Sequence, residues 1–283
     1  MRLATAVVAL HLAVALFGFA ALFGQWIALP PAIIVLGRTL VAAMTLALAG
    51  PLLRRATGRP SMALAVNGAL LALHWVSFFV AVQTASVAIG LLSYASFPAF
   101  VVAIESVVQR RRPRLGGVAV VGVVALGLTL LVPDFSWSSR TVQGLAWGLV
   151  SGFTFALLAV RNRAWVSRIG PITLALWQNG FAALWLLALV ASTFDNFVIT
   201  GRELVLIVVL GVVCTALAHT LFIASLLRVS AATASVVSVL EPVYGIALAA
   251  LLEGEIPDAR TLAGGALIVL AALLATRRVA SRP

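Results

Sequence analysis

The stretch ASVVSVLEPVYGIALAALLEGE, Ala234 to Glu255, decides the fold. It is long enough to cross a bilayer, yet Glu241 and Pro242 stand near its middle. Proline removes a helix hydrogen bond and kinks the backbone, and a carboxylate in hydrocarbon is costly. A helix carrying both is expected to face protein or a water-filled cavity rather than lipid. The design occurs earlier as well, in SVAIGLLSYASFPAFVVAIE, Ser86 to Glu105, with Pro98 in the matching place. The serines Ser86 and Ser230 and the prolines Pro98 and Pro242 stand the same 144 residues apart (230 − 86 and 242 − 98). Two kinked spans at a fixed interval point to an internal repeat and to transport.

Composition agrees. The 283 residues are 63% hydrophobic and 10% charged, whereas soluble domains carry roughly 25% charge. Repeated apolar runs of about 20 residues read as a polytopic membrane protein. The first run, from the N-terminus to Leu29, is longer than a signal-peptide core and is expected to be an uncleaved helix. Cys214 is the lone cysteine, which excludes a disulfide within the chain and a cysteine-based metal site. The net charge of +11 comes from arginines that are not gathered with aromatics on one face, so no nucleic-acid partner is expected.

Ten spans are expected, at roughly 4–27, 31–50, 62–82, 86–107, 115–132, 142–160, 171–193, 203–226, 232–252 and 260–276. Between and beyond them the arginines divide. One side holds Arg2, Arg54, Arg55, Arg59, Arg110–Arg112, Arg114, Arg161, Arg163, Arg168, Arg228, Arg277, Arg278 and Arg282. The other holds Arg140, Arg202 and Arg260, with Asp134, Asp195, Glu203, Glu253, Glu255 and Asp258. The positive-inside rule then puts both termini in the cytoplasm.

The repeat extends beyond the kinked spans. Pro31 to Arg38, PAIIVLGR, is echoed by Pro171 to Gln178, PITLALWQ, so Gln178 takes the place of Arg38. Leu115-Gly116-Gly117 is echoed by Ala263-Gly264-Gly265. The expected fold is all-α and integral to the membrane: ten transmembrane helices as two five-helix repeats, residues 1–140 and 141–283. Five is odd, so the second repeat enters the membrane inverted, which places a substrate site near the midplane between the halves.

These residues resemble the drug/metabolite transporter superfamily, in its ten-helix branch of two EamA-type repeats. The matching pieces are LFGFA (Leu16–Ala20), Leu29-Pro30-Pro31 with Arg38, Ser86-Val87-Ala88, SYASFP (Ser93–Pro98), LEPVY (Leu240–Tyr244) and LEGE (Leu252–Glu255). Phe17 stands where a tryptophan is frequent in the family. LALHWVSFF, Leu71 to Phe79, is similar to the third helix of bacterial aromatic amino-acid exporters. That resemblance implies a bacterial inner-membrane exporter of amino acids, aromatic and other neutral ones, working without a cofactor, with His74 and Tyr94 lining its cavity.

Spacing adds further candidates. His74 and Phe78 share one helix face, Trp75 and Phe79 another, and Tyr94 and Phe97 lie just before the Pro98 kink. Rings with a few hydrogen-bonding tips suit a substrate with an apolar body and a polar head. Phe155 (or Phe153) of span six, Trp177 and Gln178 of span seven and His219 of span eight complete the expected substrate-binding set, with His11 a further histidine. Gly144, Gly148, Ser151 and Gly152 form a small-residue stripe that lets helices approach closely. Arg38 reads either as a snorkelling side chain or as a buried cation that binds a carboxylate or positions a helix. Glu241 reads either as a coupling site or as a kink-stabilising hydrogen-bond partner, and Glu105 as an interfacial partner of Arg110–Arg112. Exchange, facilitated diffusion and proton antiport all remain open.

An enzyme is disfavoured, since neither His-Glu-x-x-His nor Gly-x-Ser-x-Gly occurs. Another cargo on the same fold, such as a drug, nucleobase, vitamin or lipophilic cation, is the alternative. Both repeats lie in one chain, so a functional monomer is expected, with a small-molecule substrate and the lipid bilayer as its partners.

Overall fold

The computed structural model describes residues 2–52, 61–108, 110, 115–131, 136–191 and 197–280. The described chain is helical throughout: α1 (Leu3–Trp26), α2 (Pro31–Leu52), α3 (Met62–Thr84), α4 (Val87–Tyr94), α5 (Phe97–Val108), α6 (Leu115–Leu130), α7 (Arg140–Ile169), α8 (Pro171–Val190), α9 (Gly201–Gly211), a π-helix (Val212–Leu217), α10 (Ala218–Ser225), α11 (Ala231–Ser238), α12 (Leu240–Glu253) and α13 (Ala259–Ala280). Among the described residues, eight segments have the length and apolarity to cross a membrane, counting α4–α5, α9–α10 and α11–α12 as one each. The expected fifth and tenth spans are represented by shorter apolar stretches, Val121–Leu130 and Ala259–Ala271. Of the charges behind the expected topology, Arg54, Arg55, Arg59, Arg111, Arg112, Arg114, Asp134, Asp195 and Arg282 lie outside the described residues. Glu105 is half-buried, with two of its expected partners among those residues.

The two proline spans are broken rather than kinked. A proline ring collides with the carbonyl four residues back and offers it no N–H. That carbonyl belongs to Tyr94 for Pro98 and to Ser238 for Pro242, the last residues of α4 and α11. The linking residues adopt nearly the same backbone, Ala95 at φ −62°, ψ −2° and Val239 at φ −66°, ψ −12°. Each short helix has 8 residues, and each is capped by the serine that opened the pattern. Ser86 Oγ accepts from Ile89 N and Ser230 Oγ from Thr233 N. Such caps satisfy N–H groups that a helix start otherwise leaves orphaned.

The eighth span, expected as one regular helix, contains the six-residue π-helix between α9 and α10. Thr215 Oγ1 donates to the Leu210 carbonyl five residues back, at 2.7 Å, within this widened turn. Single π turns interrupt a helix at a definite point and frequently mark functional positions.

Packing follows equivalent pairs. α3 lies on α7 as α10 lies on α1, α4 and α5 lie on α7 as α12 lies on α1, and α2 meets α8 while α6 meets α13. One large apolar core runs through α1, α2, α3, α7, α8 and α10. The glycine stripe of α7 serves this packing: at Gly144 a side chain would meet Ala85 Cβ at 2.6 Å, and at Gly152 the Tyr94 carbonyl at 2.9 Å.

Candidate substrate site

α3 brings His74, Trp75 and Phe78 into the core, and α4 ends on Tyr94 beside them. His74 is buried, and its Nδ1 lies 3.0 Å from the Ser151 carbonyl and 2.9 Å from Ser151 Oγ on α7. A carbonyl can only accept, so Nδ1 carries a proton. Around His74 the rings are continuous: Phe155 at 4.9 Å between centroids, Tyr94 at 5.5 Å and Trp75 at 6.3 Å. Tyr94 stacks on Phe97 at 5.1 Å and meets Phe78 edge-on at 5.8 Å. Phe155 also touches Phe97 at 5.1 Å and Phe222 at 5.2 Å.

Of the two phenylalanines considered in span six, Phe155 is inside. Phe153 is 45% exposed and packs on Phe100 at 5.5 Å. They are two residues apart on a helix and so point about 200° around it. Phe222 was not foreseen, although it stands 144 residues after Phe78 and the repeat could have found it.

Gln178 and His219 come together across α8 and α10, with His219 Nε2 donating to Gln178 Oε1 at 3.0 Å. Gln178 Nε2 donates in turn to Asn162 Oδ1 on α7. All three are buried. His219 joins the ring cluster through Trp75, edge-on at 5.5 Å. Trp177 is half-buried, and its ring pairs with Phe181 at 5.9 Å. His11 is half-buried in α1.

Arg38 does not snorkel. It is 2% exposed, and its guanidinium carbon lies over Trp75, 4.0 Å from the ring centroid. Its Nε donates to Thr215 Oγ1 at 2.8 Å and its Nη2 to the Cys214 carbonyl at 3.3 Å. Both acceptors belong to the π-helix, where the irregular ladder leaves oxygens available for an outside donor. Glu241, 4% exposed, opens α12. Its carboxylate interacts with the Tyr94 side chain, while Oε2 has no hydrogen-bond partner. Its place is set by the contact of α12 with α1: a side chain at Gly18 would meet the Glu241 carbonyl at 2.8 Å and Gly245 N at 2.9 Å. Only glycine permits that approach.

Among the described residues no cluster of three or more His, Cys, Asp or Glu side chains forms that could hold a metal ion. What the site offers is a buried cluster of packed rings, a few fixed donors and two buried ionisable side chains, Arg38 and Glu241.

Comparisons with known proteins agree with this picture. Residues 142–277 match the EamA-like transporter family. The chain is 29% identical over 216 residues to the Pseudopaline exporter CntI of Pseudomonas aeruginosa, covering 76% of this chain and 74% of that protein. It is 25% identical over 229 residues to an uncharacterized transporter of Archaeoglobus fulgidus, covering 80% and 81%. To the uncharacterized inner membrane transporter YicL of Salmonella typhimurium it is 23% identical over 188 residues, spanning 63% of that protein's length. A solved crystal structure has the same fold over the whole of both chains, with a TM-score of 0.74 at 20% identity.

Proposed function

We propose that this chain is a multi-pass membrane transporter of the EamA type rather than an enzyme, and that it exports a small metabolite with an apolar body and a polar head by alternating access. The observation that carries this reading is the buried meeting of rings and donors from both halves of the chain. His74, Tyr94 and Phe97 come from one half, and Phe155, His219 and Phe222 from the other.

Residues 1–140 and 141–283 are read as two five-span repeats of opposite orientation. Support comes from the equal broken helices at a constant interval and from the paired packing, in which each helix and its counterpart exchange partners. Inverted repeats place the cargo site at their interface and move one half against the other. The arginine distribution supports cytoplasmic termini. YicL is by name an inner membrane transporter, which supports the same location here. One chain contains both halves, so a monomer suffices for the pathway.

Amino acids, aromatic and other neutral ones, are the first cargo to test, because His74 and Tyr94 hold the positions implied by the resemblance to aromatic amino-acid exporters. A second reading, favoured by the likeness to a pseudopaline exporter, is a different metabolite on the same fold. Cells expressing the protein and loaded with a phenylalanine-containing dipeptide separate the two. Faster release of phenylalanine than from cells lacking the protein supports amino-acid export. Equal release, with the protein present in the membrane, removes that cargo and turns the search to metabolites of other chemistry.

A further inference from the structure

We propose that Arg38 and Glu241 are the two charged poles of one binding site, taking the carboxylate and the ammonium of a zwitterionic substrate. The inference rests on the export reading above and names the chemistry of its cargo.

A buried arginine usually meets an anion, because an unpaired charge in a protein interior is costly. Arg38 instead donates to two neutral oxygens, Thr215 Oγ1 and the Cys214 carbonyl, and rests on the Trp75 ring. Glu241 has the converse shortage. Its carboxylate interacts with the Tyr94 side chain, but Oε2 is buried with no hydrogen-bond partner. Arg38 and Glu241 also interact electrostatically. Neither takes the other as a hydrogen-bond partner.

Between them runs an unbroken line of rings. Arg38 lies over Trp75, Trp75 neighbours His74, His74 neighbours Tyr94, and Tyr94 interacts with Glu241. A cargo with an apolar body on this line and an opposite charge for each pole offsets both costs at once. A purely cationic or purely anionic cargo offsets one and leaves the other. The repeat adds that each pole occurs once. Gln178 stands at the position matching Arg38, and Phe97, 144 residues before Glu241, stands at the position matching Glu241. Both counterparts are neutral, so the layout is polar and orients a zwitterion in one direction.

The test is equilibrium binding of radiolabelled phenylalanine to the purified full-length protein, displaced by three competitors. These are phenylalanine itself, phenethylamine (no carboxylate) and 3-phenylpropanoate (no ammonium). Phenylalanine is expected to compete at least about tenfold better than either analogue, as a lost hydrogen bond to a charged group implies. In Glu241→Gln the advantage over 3-phenylpropanoate closes, while that over phenethylamine stays. In Arg38→Gln the pattern reverses. Should Arg38→Gln not fold, Arg38→Lys keeps the charge and is expected to retain the preference for a carboxylate. Equal competition by all three in the wild type overturns the inference alone. No binding, together with no phenylalanine transport by folded protein, overturns the amino-acid export reading and this inference with it.

Discussion

Gly148→Ala sets two effects of opposite sign against each other, and the structure decides between them. Gly148 lies inside α7, where alanine in place of glycine favours the helix by about 0.5–1 kcal/mol. Against that, the new Cβ would sit 2.6 Å from Ser93 Cβ and 3.4 Å from Tyr94 N on α4. Ser93 Oγ can rotate away from its bonds to the Ile89 and Gly90 carbonyls, but Ser93 Cβ cannot. To restore ordinary contact, α4 and α7 must separate by close to 1 Å, and overpacking of this kind costs about 1–3 kcal/mol. The net loss lies between about 0 and 2.5 kcal/mol, or up to roughly 5 °C in melting temperature for a chain of this size. Gly180 in α8 is the internal control, because a side chain there meets nothing within 4 Å. Gly180→Ala is expected to raise the melting temperature by about 1–2 °C through the helix term alone. Thermal unfolding of the purified protein in detergent reads both. Ser93→Gly must also cost less in the Gly148→Ala background than in the wild type. A Gly148→Ala protein that melts at or above the wild type, with no coupling to Ser93, refutes the close contact that places Tyr94.

Three further outcomes follow from the same contacts. Phe155→Ala is expected to destabilise by about 3–5 kcal/mol, whereas Phe153→Ala, on the exposed face, changes the melting temperature little; equal effects contradict the assignment of Phe155 to the core. Thr215→Val removes the oxygen that accepts from Arg38 Nε and is expected to cost about 1–3 kcal/mol, while Thr215→Ser, which keeps the hydroxyl, melts close to the wild type. Asp258 caps α13 through Thr261 N at 2.7 Å, and hydrogen bonds from the Thr261 side chain and backbone hold its carboxyl below the ordinary 3.8. A depressed folded value means that its stabilisation is complete above the unfolded value and fades as pH falls through the folded one. The melting difference between wild type and Asp258→Ala should therefore be constant near neutrality and shrink only below about pH 4.

How far the sequence discloses this arrangement depends on whether a signal is local. Pro98 and Pro242 carry their meaning in themselves, since a proline disrupts the turn before it whatever surrounds it. Their helices end at Tyr94 and Ser238 for that reason. Serine caps are equally local. The π-helix is not, because Val212 to Leu217 contains no proline or glycine. Its irregularity is visible only when the Thr215 hydroxyl and the Arg38 guanidinium, 177 residues apart in sequence, are brought together. Arg38 shows the same limit, as snorkelling and burial are indistinguishable until its neighbours are known. Among the rings, helix spacing put His74, Trp75 and Phe78 on usable faces. Spacing alone could not choose between Phe153 and Phe155. Applied to Phe78, the interval of 144 residues also yields Phe222, a ring of the second half that Phe155 meets.

The central claim is that the buried ring cluster around His74 carries a transported metabolite. Uptake of labelled phenylalanine into proteoliposomes of the purified protein, against empty liposomes and with unlabelled competitors, tests it most directly. The account predicts uptake that other neutral amino acids compete for, and its loss in His74→Ala protein that remains folded. Uptake undiminished in folded His74→Ala would contradict it.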